Sequence, residues 1–303
     1  MAINKYNIKK WYKMLIGKSS LHIKQGIGKI YSKEDIKGYY NDLTLKVESE
    51  KNIQSNIPLF LDKDGKLKEF SIMIFQYGLG AYDLYLLGID KRKNLERFKA
   101  VLEWAVKAQQ ESGGWLTFSF KKGNDKYSAM AQGEGISLLL RGYIELKDER
   151  YLNKAKQAIN FLMKPIENGG TTLYCNEDIY LKEYLDEPVV LNGWIFSLWG
   201  IYDYLKVDRE NNEIKSFYQK TLNTLERNLI KFDKGYWSMY DMSKRIASPF
   251  YHELHVQQLK VMYDITGKEA FKQYAEKFEG YNTKFLYRKK AFFIKAIQKI
   301  MEK

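Results

Sequence analysis

The chain has 303 residues, of which 45% are hydrophobic, 15% are aromatic and only 4 are proline. This composition supports a sizeable buried core and excludes a disordered or linker-rich chain. Lys and Arg outnumber Asp and Glu by 50 to 37, and the net charge of +13 favours an anionic partner. Because no zinc pattern, RNA-binding aromatic signature or helix-turn-helix signal is found, acidic carbohydrate or a membrane surface is preferred to nucleic acid.

The first sixty residues differ from the rest of the chain. They contain no signal-peptide core, and no apolar run anywhere in the sequence is long enough to span a bilayer. Alternating side chains at residues 43–47 predict a short strand or hairpin. Cys175 is the only cysteine, which excludes an intrachain disulfide and indicates a reducing compartment. We therefore expect residues 1–60 to form an extension packed on the main body of a cytoplasmic protein.

Helical periodicity dominates the middle of the chain. Apolar residues recur at helical spacing in three amphipathic segments that run into glycine turns, at residues 95–106, 152–162 and 217–229. More uniformly apolar segments that contain glycine precede them, at residues 76–82, 132–143 and 192–202. A fourth apolar segment, at residues 252–263, precedes an amphipathic helix at residues 269–278. The pattern predicts pairs of inner and outer helices.

The helix pairs repeat at a regular interval. Tyrosines at 82, 143, 202 and 263 are separated by 61, 59 and 61 residues. This spacing predicts four pairs, with buried inner helices wrapped by outer helices that each present one apolar stripe. We predict an all-α fold in which residues 61–282 form an α/α toroid. An open helical solenoid is the alternative, and the aromatic loops with glycine turns favour closure.

The last segment, residues 283–303, predicts a basic amphipathic helix. Its sequence places Arg288, Lys289, Lys290 and Lys295 among phenylalanines and isoleucines. Three roles fit this pattern: docking on the toroid, a contact in a homodimer, or a peripheral membrane contact. Docking on the toroid is the preferred interpretation.

The loops beside the inner helices concentrate tyrosine, histidine and acidic residues. The candidates are Glu183 and Tyr184, Tyr240 and Asp241, and Tyr251, His252 and His255. A tyrosine needs a positive neighbour to act as a base near neutral pH, and Lys244 and Arg245 could supply that charge. Glu183 with Asp241 could instead form a glycosidase pair. The spacing of the two histidines permits a metal, but no third ligand stands out, so we expect none.

Several stretches, read together, resemble the catalytic domain of the glucuronyl C5-epimerases. In the family's order they are residues 75–79, 109–115, 127–133, 183–184, 190–194, 240–242 and 251–259. The resemblance implies two-base inversion at C5 of a glucuronic acid residue in an acidic polysaccharide or its precursor, without a cofactor. It assigns Glu183 and Tyr251 as the exchange bases, with Tyr184 and Tyr240 supporting the charge or relaying the proton.

The resemblance also implies contacts with the sugar or its carboxylate. The candidate residues are Trp115, Gln132, Asn192, Lys244, Arg245, His252 and His255. The chain departs from the family where Leu185 replaces a proline and Ser243 replaces an arginine. A polysaccharide lyase, a glycoside hydrolase and a non-catalytic glycan-binding or assembly protein are the alternatives.

Overall fold

The computed structural model describes residues 22–62, 64–118, 126–243 and 245–301. Helices account for most of these residues. They are α1 (Thr44–Ser49), α2 (Ser71–Leu86), α3 (Lys91–Ala108), α4 (Ala129–Leu146), α5 (Glu149–Met163), α6 (Leu191–Val207), α7 (Asn212–Asn228), α8 (Pro249–Thr266), α9 (Glu269–Thr283) and α10 (Phe285–Met301). The strands are β1 (Ile53–Gln54), β2 (Ile57–Pro58), β3 (Phe60–Leu61), β4 (Leu67–Lys68), β5 (Thr172–Cys175) and β6 (Asp178–Leu181), and they pair as three antiparallel hairpins.

The helices form the four predicted pairs. Helices α2, α4, α6 and α8 pack in succession as the inner layer, and α3, α5, α7 and α9 each pack on their own inner partner. The inner helices are buried on nearly all sides, whereas an outer helix such as α3 buries a single stripe that includes Phe98, Leu102 and Ala105. This division follows from the apolar pattern. The predicted fold class, an all-α α/α toroid of helix pairs, is confirmed.

The strand predicted at residues 43–47 is wrong, because this stretch begins helix α1. The Asp42 carboxylate accepts hydrogen bonds from the backbone N–H and the hydroxyl of Thr44, at 3.0 and 2.5 Å, and so satisfies the start of the helix. Leu43 and Val47, one helical turn apart, are buried beside Gly80 of α2. Small hairpins follow instead, between β1 and β2 and between β3 and β4.

A buried polar network holds the N-terminal segment against the inner helices. Arg141 of α4 and Asp203 of α6 form an ion pair of 2.6 Å with both side chains buried. The Tyr40 hydroxyl donates to the same Asp203 carboxylate at 2.6 Å, and Arg141 donates to the Gly38 carbonyl at 3.0 Å. At the last inner helix, the Tyr31 hydroxyl donates to Asp264 at 2.7 Å. The segment therefore contacts elements from several repeats.

Helix α10 lies against the hairpin that precedes α8. Ala291 and Lys295 are buried, and the side-chain oxygen of Gln298 accepts the backbone N–H of Ile246 at 3.0 Å. Among the described residues, no helix combines the length and apolarity needed to cross a bilayer. The boundaries proposed at residues 60 and 282 stay predictions.

Candidate active site

Glu183 is positioned by the hairpin of β5 and β6, which connects helix α5 to α6. The hairpin packs on α7, where the Thr221 hydroxyl donates to the Ile179 carbonyl at 3.0 Å. Immediately after β6, the Lys182 carbonyl accepts the backbone N–H of Ala129 at 2.8 Å, which ties this strand end to the start of α4. The buried Glu183 carboxyl group then lies against Gly193 in the first turn of α6.

Tyr240 lies on a small hairpin that pairs with the approach to helix α6. Val190 and Asp241 form an antiparallel bridge, and the Tyr240 carbonyl accepts the Leu191 N–H at 3.2 Å. The buried Asp241 carboxylate closes the turn by accepting the Ser243 N–H at 2.9 Å and its hydroxyl at 2.7 Å. The bridge from Val190 to Asp241 and the bond from Leu191 to Tyr240 join two distant stretches of sequence. They bring the loop that carries Tyr240 to the one that carries Glu183 and Tyr184.

Tyr251 lies in the first turn of helix α8. Ser248 is the N-cap, and its hydroxyl accepts the Tyr251 N–H at 3.4 Å. Pro249 follows at the first helical position, where its fixed φ favours a helix and its missing N–H costs nothing. The sequence thus starts α8 at a defined residue and places the Tyr251 side chain at the same end of the toroid as Tyr240.

The structure brings Glu183, Tyr184, Tyr240 and Tyr251 together in one cluster. The rings of Tyr240 and Tyr251 lie 4.8 Å apart between centroids. Tyr240 is in hydrogen-bonding contact with both Tyr184 and Tyr251. Glu183 is buried, whereas the three tyrosines remain partly exposed. Acid and hydroxyl groups from two loops and from the start of helix α8 therefore share one partly accessible location.

Burial and the nearby carboxylate keep the tyrosines of this cluster protonated. Burial raises the pKa of Tyr184 and of Tyr240 well above the ordinary value of 10.0, and the Glu183 charge raises both further. The same two causes, in the same order, raise the pKa of Tyr251. At neutral pH these hydroxyls are proton donors, and Glu183 is the acidic group whose charge acts on all three of them.

Two cations lie over the Tyr240 ring. The Arg245 guanidinium carbon is 5.5 Å from the ring centroid, and the Lys295 ammonium group of helix α10 is 5.8 Å from it. Arg245 also forms salt bridges with Asp241 and, at 2.9 Å, with Glu187, so it braces the loop. Lys244, predicted beside Arg245 as a substrate contact, lies outside the described residues.

His252 and His255 lie behind the cluster in the packing of helix α8. His252 accepts the Ser238 N–H through Nδ1 at 3.1 Å, and its Nε2 lies 2.9 Å from the Phe278 carbonyl oxygen. The Ser238 hydroxyl lies 2.9 Å from His255 Nδ1. Burial lowers the pKa of His252 to about 3 and that of His255 well below 6.5. Both imidazoles are neutral and hold the segment that leads to Tyr240.

The other predicted contacts divide between the cluster and the core. Trp115 is fully buried and donates its indole N–H to the Ala105 carbonyl at 2.8 Å, while the Gln132 amide oxygen accepts the Trp115 N–H at 3.2 Å. Asn192 lies beside Gly193, at the turn that contacts Glu183. Its Oδ1 is buried and has no hydrogen-bond partner among the described residues. Asn192 is thus nearer to the cluster than Trp115 and Gln132.

Sequence reasoning missed a buried chain of polar groups next to the cluster. Lys46 of α1 donates to the Gln76 side chain on α2, which donates to Glu134 Oε1 on α4 at 2.7 Å. Burial raises the pKa of Glu134 well above its ordinary value, with a smaller contribution from the Glu183 charge. The sequence signal that could have revealed Glu134 is a glutamate inside an otherwise apolar, glycine-containing segment. Lys295 was also missed as a site residue, because a lysine in a basic helix is normally solvated.

The acidic and histidine side chains do not assemble into a metal centre in the part of the chain that the structure describes. The Glu183 cluster combines a carboxyl group with three tyrosine hydroxyls, and both kinds of group can transfer protons. This arrangement is suited to acid–base chemistry on a bound ligand.

Comparisons with known proteins fit this arrangement. The family model described as D-glucuronyl C5-epimerase C-terminus matches residues 109–280. Over 219 residues the chain is 29% identical to the D-glucuronyl C5-epimerase of Caenorhabditis elegans, covering 63% of this chain and 36% of that protein. Over 155 residues it is 34% identical to an uncharacterized protein of Methanocaldococcus jannaschii, covering 49% and 50%. The chain spans half or less of the length of these relatives.

Two solved structures show a distant likeness. An unsaturated glucuronyl hydrolase specific for heparin matches with a TM-score of 0.47 and 15% identity, over 79% of this chain and 64% of that chain. An alpha-amylase from Clostridium perfringens matches with a TM-score of 0.44 and 14% identity, over 72% and 65% of the two chains.

Proposed function

Because the chain belongs to the D-glucuronyl C5-epimerase C-terminus family, we propose that it is a carbohydrate epimerase that inverts C5 of a glucuronic acid residue. The match confirms the resemblance drawn from the motifs. The substrate class we propose is an acidic polysaccharide or its precursor. The observation that carries the proposal is the meeting of Glu183, Tyr184, Tyr240 and Tyr251 at one end of the helices.

The reaction requires removal of a weakly acidic proton. C5 of a uronic acid is bonded to the carboxylate carbon, so loss of the C5 proton leaves an electron pair that delocalises into an enolate. Inversion follows when a second group returns a proton to the opposite face of C5. An enzyme for this reaction needs a base on one side of the ring, a proton donor on the other, and positive charge near the carboxylate.

In this mechanism Glu183 removes the proton and Tyr251 returns one. Glu183 becomes a carboxylic acid as the C5–H bond breaks. Tyr251 becomes a tyrosinate as a new C–H bond forms, so the total charge of the pair is unchanged. The raised pKa of Tyr251 fits the donor role, because the hydroxyl keeps its proton until it transfers that proton to C5 of the enolate. The reverse reaction exchanges the two roles.

The remaining tyrosines complete the cycle. Tyr240 is in contact with both Tyr184 and Tyr251, so the three hydroxyls form a path along which the proton on Glu183 returns to the Tyr251 tyrosinate. A tyrosinate in this cluster gains stability from the cations beside the Tyr240 ring, Arg245 and Lys295. We propose that Lys295 also attracts the uronate carboxylate, whereas Arg245 mainly holds the loop.

The experiment that tests this proposal is incubation with glucuronic-acid glycans in heavy water, followed by NMR of the C5 position. The intact protein should incorporate deuterium at C5. The rate of deuterium exchange should be at least about 100-fold lower in Tyr251→Phe, because this variant lacks the general acid. Tyr143→Phe, a change on α4 away from the cluster, is the matched control and should keep the rate of the intact protein.

The products distinguish the alternatives. An unsaturated uronide that absorbs ultraviolet light would indicate a lyase, and new reducing ends without exchange would indicate a hydrolase. Binding of the glycan without any deuterium incorporation would support a non-catalytic binding protein. Each of these results contradicts the epimerase proposal, as does full exchange by Tyr251→Phe.

A further inference from the structure

Helix α10 presents an apolar stripe that its docking on the toroid leaves uncovered. Leu286 is 76% exposed, Phe293 69%, Ile297 45% and Met301 69%. Their spacing of seven, four and four residues places them on one side of the helix. Large apolar side chains exposed together in this way mark an interaction surface. We call these four residues the α10 stripe.

A different face of helix α10 makes the contact with the toroid. Tyr287 contacts the rings of Tyr236 and Tyr281, at 6.2 and 5.8 Å between centroids. Ala291 and Lys295 are 2% and 6% exposed, which places them in the contact with the toroid. These residues and the α10 stripe lie on different sides of the helix. The stripe is therefore not needed to attach α10 to the protein.

The charges of α10 indicate what covers the stripe. Residues 285–301 contain five basic residues and no acidic residue, in a chain of net charge +13. The ammonium groups of Lys289 and Lys290 lie 4.4 and 4.3 Å from the ring centroids of Phe285 and Tyr236. A second copy of this chain would bring like charges together, whereas an anionic lipid surface offers both an apolar layer and negative charge.

We infer that α10 binds the chain to the surface of an anionic lipid bilayer, with the α10 stripe inserted among the lipids and the exposed Arg288, Lys289 and Lys290 at the headgroups. An interfacial helix of this type lies parallel to the bilayer and does not cross it. Because α10 also contacts the Tyr240 loop through Lys295 and Gln298, the lipid surface would lie on the α10 side of the candidate site. The inference does not depend on the reaction proposed above.

Cosedimentation with vesicles tests the inference without any sugar substrate. The intact chain is mixed with vesicles of phosphatidylcholine alone and with vesicles that also contain phosphatidylglycerol. We expect binding to the anionic vesicles, and weaker binding as the salt concentration rises. The double variant Leu286→Ser with Phe293→Ser should partition into anionic vesicles about tenfold or more weakly, because both side chains insert into the apolar layer of the bilayer. Both residues are exposed, so the fold should survive, as thermal unfolding would verify.

Ile230→Ser is the matched control, because Ile230 is also exposed, at 60%, but lies between α7 and the Trp237 turn. This variant should bind vesicles like the intact chain. Failure of the intact chain to bind anionic vesicles would overturn the inference, as would equal binding by the double variant or equal binding to both lipid compositions. A dimer in sedimentation velocity that the double variant abolishes would identify a second copy as the occupant and would also overturn it.

Discussion

Gly193 makes room for the carboxyl group of Glu183. A Cβ atom at position 193 would lie 2.5 Å from Glu183 Oε2 and 2.8 Å from Glu183 Cβ. Because ordinary contact begins at 3.4 Å, the carboxylate oxygen would have to move by the difference, 3.4 − 2.5 = 0.9 Å. The contact with Glu183 Cβ means that rotation of the side-chain end alone does not relieve the clash. Gly193→Ala is thus a small perturbation aimed at the proposed base.

The expected effects on stability and rate follow from this displacement. In a helix, replacing glycine with alanine normally stabilises the fold by about 0.4–1 kcal/mol through the unfolded chain. Overpacking opposes this gain at a cost of about 1–3 kcal/mol. A displacement near 1 Å of a group that must reach C5 reduces the rate by about 100-fold. We expect Gly193→Ala to lose exchange activity by about that factor, while the free energy of unfolding falls by at most about 2.6 kcal/mol and the protein stays folded.

Two controls separate geometry from stability. Gly280→Ala adds a methyl group in helix α9, where none of the described residues places an atom within 4 Å of the new carbon apart from the adjacent residues and the helix backbone, so it should show the stabilising effect alone. Gly142→Ala meets the Leu102 side chain at 2.5 Å, at the other end of α4, and should destabilise the fold without changing the rate of the folded protein. The assays are urea unfolding and deuterium exchange at C5. A rate unchanged in Gly193→Ala would refute the assignment of Glu183 as a base held against this glycine.

Two further predictions concern buried charges. Asp203→Ala should destabilise the protein by about 3–5 kcal/mol in urea unfolding, because Arg141 would remain buried without its partner, whereas Glu96→Ala on the surface should cost at most about 0.5 kcal/mol. The raised pKa of Glu134 means that the fold holds a proton that the unfolded chain releases, so the stability of the intact protein relative to Glu134→Gln should fall as the pH rises from 5 to 7, by up to about 1.4 kcal/mol per unit. His252 and His255, which stay neutral in the fold, contribute a slope of the opposite sign in both proteins, so the measurement is the difference between the two pH profiles. A small loss of stability in Asp203→Ala would contradict the prediction for the buried ion pair. The same pH slope in Glu134→Gln as in the intact protein would contradict the prediction for Glu134.

The helix pairs could be predicted because burial repeats with the period of the helix. Inner segments are apolar on all sides and outer segments on one side, and both patterns are local in sequence. The prediction failed at residues 43–47, where alternation suggested a strand. There the start of α1 depends on Asp42, and the burial of Leu43 and Val47 depends on Gly80 in the next helix. Alternation over five residues could not reveal a contact made by a distant residue.

The candidate site was predictable in part, because the motifs that carry its residues are short and local in sequence. Motif resemblance selected Glu183, Tyr184, Tyr240 and Tyr251, and the structure brings them together. Sequence reasoning could not find Lys295, because a lysine becomes a site residue only when its helix docks beside Tyr240.

Amino-acid pattern alone determined the four helix pairs and which residue types the loops carry, because both depend on neighbours within a few positions. The tertiary structure decided which loops meet. The bridge from Val190 to Asp241 and the bond from Ala129 to Lys182 join residues far apart in the chain, and no local pattern specifies them. It also decided that Glu134 is buried, since its place in a helix wrapped by others outweighs the tendency of a carboxylate to remain in water.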